Sequence, residues 1–179
     1  MKKKLITAII ALSLALCCLV GVTIAWIVDD TDPVVNTFTY GDINITLTET
    51  TGNTYKMVPG NQINKDPKVT VKAGSEDCWL FVKIDKSSNY DTYLEAYAVA
   101  TGWIKLEDGV YYREVTAKDS EDQEFPVLAN NQVTVLETVT KQQMEAIKTF
   151  DMPTLTFTAY AIQKANIGTA ADAWAKINA

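Results

Sequence analysis

The segment Cys78-Trp79-Leu80-Phe81-Val82-Lys83-Ile84 is apolar at every position but one. A strand with one wet face alternates apolar and polar residues. A run without alternation is covered on both faces and sits centrally in its sheet. The remaining strands can be placed around this one. Trp103-Ile104-Lys105-Leu106 and Val110-Tyr111-Tyr112-Arg113 flank Glu107-Asp108-Gly109. Asp108-Gly109 reads as a two-residue hairpin loop of type I′, which needs positive φ at both positions. Val69 and Val71 form a short strand between Pro67 and Gly74, and Val133 and Val135 begin another. In the last strand Leu155, Phe157, Ala159 and Ala161 line one face, with Thr154, Thr156 and Thr158 on the other. Upstream, Phe38 and Tyr40 alternate in step, and Ile43, Ile45 and Leu47 continue in the opposite parity. One residue inserted at Gly41-Asp42 as a bulge accounts for the switch.

Two short helices interrupt the strands. Thr140 and Gln143 have capping-box spacing, with Val139 and Met144 placed as a hydrophobic staple. Ala170, Ala173, Trp174 and Ile177 then recur at helical spacing, and Trp174 is expected to pack that terminal helix onto an end or edge of the sheets. Many short strands with few helices predict an all-β fold, an antiparallel β-sandwich.

The N-terminus decides where this domain works. Lys2, Lys3 and Lys4 precede an apolar run of 24 residues from Leu5 to Val28, followed by Asp29-Asp30-Thr31-Asp32-Pro33. Positive charge, apolar core and then small residues is the layout of an export signal helix. Thr23 and Ala25 place cleavage between Ala25 and Trp26. The run is also long enough to cross ~30 Å of hydrocarbon, so an uncleaved anchor is the alternative. A lipoprotein reading of Cys17 fails because Leu16 stands where a small residue is needed. The expected organisation is a signal peptide over residues 1–25, an N-terminal arm over 26–40 and a sandwich domain over 41–179.

Cleavage leaves 154 residues, enough for one domain with a real core. Three of the 16 basic residues leave with the leader, so 13 face 22 acidic ones and the mature charge is −9. That balance disfavours nucleic acid and anionic membrane as partners; membrane contact is expected only through an uncleaved leader. Only Cys78 remains, which excludes an intramolecular disulfide. The chain has no histidine, which excludes Ser-His-Asp and Cys-His nucleophiles, His-ligated zinc and the H-E-x-x-H helix.

The remaining candidates favour structural readings. Asp119-Ser120-Glu121-Asp122-Gln123-Glu124 offers carboxylates for Ca²⁺ but lacks EF-hand spacing, and it reads as a solvated loop. Cys78 has no cationic motif around it and reads as buried and inert. Trp79, Trp103, Tyr111 and Tyr112 could stack on sugars in a glycan-binding module, but aromatics on strands more often build core. No catalytic constellation, metal site or cofactor is expected.

The stretch Gly21–Glu49 resembles the start of exported proteins with SipW-type signal peptides, the TasA and camelysin (CalY) group. Ala25-Trp26, Asp29-Asp30, Asn36-Thr37-Phe38 and Gly41 occupy the places of that group's cleavage region, acidic stretch, Asn-x-Phe and first-strand glycine. Lys65–Ile84 looks like its central pair of strands, and Phe157–Ile177 like its closing strand and helix. The resemblance implies a jelly-roll-like sandwich, released by a signal peptidase of SipW type and self-associating into extracellular matrix (biofilm) fibres. It also implies that the N-terminal arm enters a neighbour's sheet as a donated strand. Ile27, Val28, Val34, Val35 and Phe38 supply the apolar side chains of that arm, while Pro33 cannot join a ladder and interrupts it. Camelysin relatives are described as metalloproteases; without histidine that activity is not carried over. The alternative is a cell-surface adhesin or glycan-binding module.

Overall fold

The computed structural model describes residues 42–52, 54–147 and 151–179, all within one compact unit. Ala25, Trp26, Ile27, Val28, Val34, Val35, Phe38 and the bulge at Gly41 lie outside the described residues. Among the described residues the strands are β1 (Ile45–Thr48), β2 (Gln62–Asn64), β3 (Lys68–Val71), β4 (Cys78–Lys86), β5 (Ile104–Glu107), β6 (Val110–Val115), β7 (Gln123–Pro126), β8 (Gln132–Thr134) and β9 (Leu155–Gln163). The helices are α1 (Tyr90–Tyr93), α2 (Lys141–Ala146) and α3 (Ala170–Ile177).

The strands form an all-β antiparallel sandwich. One sheet has the order β1-β3-β7 and the other β5-β6-β4-β9, with β2 and β8 as a separate pair. β4 is central, as its unbroken apolar run predicts. It pairs with β6 from Cys78↔Val115 to Lys83↔Val110, and with β9 from Cys78↔Gln163 to Lys86↔Leu155.

Both faces of β4 are covered, by different partners. Cys78, Leu80, Val82 and Ile84 point into the sandwich with Val69 and Val71 of β3. Trp79 and Phe81 point outward and are covered by Ile167, Ala170 and Ala173. Each such fully buried large side chain stabilises the fold by about 1.5–3 kcal/mol. A separate cluster of Ile63, Tyr90, Leu94, Leu128, Val133 and Val135 fills the end around β2 and β8.

The terminal helix is displaced from its expected place. α3 lies over the outer face of the four-stranded sheet rather than at an end or edge. Trp174 sits 5.3 Å from the ring of Phe81 on β4 and 5.4 Å from that of Tyr160 on β9, and its Nε1 donates to Glu107 on β5 at 2.8 Å. The apolar outer face of β4 requires this cover. The Thr169 hydroxyl caps α3 by accepting from the Asp172 amide at 3.1 Å. The capping box of α2 forms as its spacing predicts, with Gln143 N donating to Thr140 Oγ1 and Thr140 N donating to Gln143 Oε1.

Two local expectations are corrected. There are three described helices rather than two, because Tyr90 is buried and α1 forms around it. The β5–β6 loop is not type I′, since only Gly109 of its two residues has positive φ, at 73°. A register shift between Lys105 and Glu107 takes up the extra residue. Gly109 is required on a second ground: a Cβ there would lie 2.7 Å from the Ile84 carbonyl oxygen.

Candidate assembly surface

An outer strand exposes backbone donors and acceptors, and proteins that stay monomeric blunt such edges with charge, proline, bulges or brevity. Three of the four outer strands in the two large sheets are blunted. β5 carries Lys105 and Glu107 and has the register shift. β7 carries Glu124, paired with Lys68 at 2.9 Å, and ends in Pro126. β1 is four residues long. β9 differs. Its nine residues, Leu-Thr-Phe-Thr-Ala-Tyr-Ala-Ile-Gln, contain no charge, glycine or proline, and among the described residues the strand is hydrogen-bonded only to β4.

The two flanks of the sandwich differ in the same way. On the β5–β7 flank, Trp103 Nε1 donates to the Pro126 carbonyl at 2.8 Å, tying one sheet to the other. Arg113, the only arginine in the chain, places its guanidinium 4.1 Å from the Phe125 ring centroid and 5.3 Å from that of Trp103. Burial pushes the Arg113 pKa down, and the ring faces offset part of that cost. Gly102 makes the stack possible, because a Cβ there would meet Arg113 Nη2 at 2.5 Å.

The flank where β1 approaches β9 has no such closure among the described residues. Inward-facing Leu80 and Val82 of β4 are 0% exposed, yet their partners across the ladder, Ala161 and Ala159, are only half-buried. Ile43 and Ile45 above them are half-buried too, and Leu47 is 37% exposed. With alanine at both positions, this part of β9 presents small, half-buried side chains among the described residues.

A polar cluster lies at the start of β9. Lys65, 8% exposed, pairs with Glu49 at 2.9 Å and lies 5.3 Å from the ring centroids of both Tyr55 and Phe157. This ties the loop after β1 to the start of β9. Asp66 holds the same loop: its carboxylate accepts from the Thr50 hydroxyl, and from the amides of Thr51 and Thr50 at 2.9 Å each. These bonds, led by the one from the Thr50 hydroxyl, hold the Asp66 carboxyl well below the usual carboxylate range.

The other sequence candidates are engaged internally. Asp122 accepts from Lys72 at 2.8 Å and from the Ala73 amide at 3.0 Å, Glu121 pairs with Lys118, and Glu124 lies on β7 beside Lys68. The segment read as a loop is therefore strand at its last two residues, and three of its four carboxylates meet lysines. Cys78 is fully buried and desolvation pushes its thiol up to about 11, as an inert core cysteine requires. Trp79 and Tyr112 pack edge to face at 6.0 Å in the core under α3, and Tyr111 packs against the sandwich interior. Among the described residues no group of three or more His, Cys, Asp or Glu side chains is placed to hold a metal ion.

Sequence reasoning missed Ala159 and Ala161 as site residues. The signal available was a nine-residue strand without a gatekeeper, but strand order was needed to show that it forms an edge.

The fold is thus that of a β-sandwich with one closed flank and, among the described residues, one open one. The profile of the family described as camelysin metallo-endopeptidase matches residues 1–91, and the chain belongs to that family of exported proteins. No curated protein and no solved structure matches the chain.

Proposed function

We propose that this protein is a secreted, non-enzymatic structural subunit, or an accessory component, of extracellular matrix fibres, and that it self-associates by donating its N-terminal strand. In this reading a signal peptidase of SipW type cuts between Ala25 and Trp26. The freed arm, residues 26–40, carries Ile27, Val28, Val34, Val35 and Phe38 to a neighbouring subunit. The observation that supports the reading is the edge of β9, which among the described residues is unguarded and borders an open flank. A strand added there satisfies the edge's backbone groups and covers the half-buried alanines. Because donor and acceptor are different surfaces of one chain, the contact is head-to-tail and propagates without closing.

The family's printed description names a metallo-endopeptidase. The chain lacks histidine, and among the described residues Glu121, Asp122 and Glu124 pair with lysines, which argues against a His-ligated metal centre of such an enzyme. Deleting Trp26 to Phe38 is expected to leave a folded monomer that no longer polymerises. Electron microscopy and light scattering of both forms check this, and fibres from the truncated protein defeat the reading.

A further inference from the structure

We infer that Lys65 and Glu49 condense into an intramolecular amide, a covalent brace between the end of β1 and the start of β3. The inference does not depend on strand donation. Lysine is almost never buried unless it is paired. Among the described ion pairs the Lys65 side chain is 10% exposed, whereas every other lysine keeps 33% or more of its own exposed. Glu49 is likewise the most covered of the acids in those pairs. The rings of Tyr55 and Phe157, each 5.3 Å from Lys65 Nζ by centroid, wall the amine from water. The adjacent Asp66 is held by Thr50 and Thr51, which leaves Glu49 as the carboxylate that meets Lys65.

The geometry suits bond formation. Lys65 Nζ donates to Glu49 Oε1 at 2.9 Å and to Oε2 at 3.0 Å. Nearly equal distances put the nitrogen on the plane that bisects the carboxylate, within about 3.5 Å of its carbon, the reach of a near-attack arrangement. The Tyr55 hydroxyl lies 2.7 Å from Oε1 and is placed to donate to it. A donor there stabilises the negative charge that Oε1 acquires when nitrogen adds to the carbon. One proton passes from Nζ to Oε2 and frees the nitrogen lone pair. The Nζ–Cδ bond forms, a second proton moves from Nζ to Oε2, and the Cδ–Oε2 bond breaks as water leaves with its electron pair. The third proton stays on the amide nitrogen, the two charges cancel, and no oxidant or cofactor is consumed. The brace has a structural use. β1 is an outer strand, its last paired residue is Thr48 opposite Lys68, and the amide closes that end of the pairing. The one cysteine among the described residues is buried and free, so no disulfide serves there. A cross-link restricts the unfolded chain as a disulfide does.

The test is a peptide map of the purified protein, denatured and digested with trypsin. Amide formation hides Lys65 from the protease. The expected product is Met57–Lys68 joined to the peptide that ends at Lys56, lighter than the two together by one water, with fragmentation placing the link between Glu49 and Lys65. Recovery of free Met57–Lys65 without the branched species overturns the inference. Lys65→Arg keeps the positive charge but has no ε-amine, and is expected to restore the full mass. A water loss that persists in that variant overturns the assignment to Lys65. Tyr55→Phe is expected to slow the appearance of the branched species in newly synthesised protein by at least about tenfold. An unchanged rate overturns the role given to Tyr55. The parent's own map decides the amide even where a variant fails to fold.

Discussion

The two flanks of this sandwich are built from similar materials to opposite effect. On one, Trp103, Arg113 and Phe125 stack between the sheets, and a tryptophan N–H reaches the carbonyl of Pro126. On the other, alanines stand where large side chains would complete the core, and the edge strand carries no charge. The closed flank spends large aromatics and the chain's single arginine on joining the sheets. The open flank leaves β9 without any of the devices that protect β5 and β7. A soluble monomer has reason to guard all of its long edges. Among the described residues every edge but the longest is guarded, and the proposed strand addition falls on that one.

The largest effects should separate stability from assembly. Trp103→Ala removes ring packing and the bond to Pro126, and is expected to cost about 2–3 kcal/mol in chemical denaturation while fibres still form. Ala161→Lys on the open flank is expected to change stability by less than about 1 kcal/mol, because its amine can reach water from an edge strand, yet to stop assembly. If Trp103→Ala stops fibres with the domain still folded, or Ala161→Lys leaves fibre yield untouched, the contrast between the flanks is misdrawn.

A smaller effect concerns acid. Asp66, Glu121 and Asp122 all have carboxyls held below their ordinary range, by Thr50, Lys118 and Lys72 respectively as the largest causes. Their folded-state pKa lies below the unfolded one. The stability they contribute is therefore present above about pH 4 and is lost as pH falls through the folded values. Melting temperatures between pH 7 and pH 2 should fall on the acid side. Asp66→Asn should flatten part of that decline, by releasing the loop that borders the open flank. An unchanged acid limb in Asp66→Asn would show that this loop does not contribute.

Much of the fold was legible because it rests on side-chain pattern. The unbroken run at Cys78–Ile84 marked the central strand, and the alternation at Leu155–Ala161 marked the inward face of β9. Thr140 and Gln143 marked a helix start. β2 and β7 were not legible, since Ile63 and Phe125 are the lone large apolar residues of their strands and no alternation can show. In Gln123-Glu124-Phe125-Pro126 the charge and proline also hide a strand whose single aromatic packs on Arg113. The turn at Asp108-Gly109 was read correctly in place and wrongly in type, because a bulge in β5 supplied the twist instead. The sequence reading placed its candidate site residues on the N-terminal arm, outside the described residues, and offered none on the sandwich. The acceptor needed the strand order, which makes β9 an edge, and the 0% exposure of Leu80 and Val82 set against half-buried alanines beside them.

Hydrogen exchange of the backbone amides in β9, compared between monomer and assembled protein, tests the central claim most directly. Slowed exchange on assembly at the amides of Leu155–Gln163 that do not bond to β4, with β5 and β7 unchanged, is the predicted result. Equal exchange along β9 in both states, or new protection confined to β5 or β7, would contradict it.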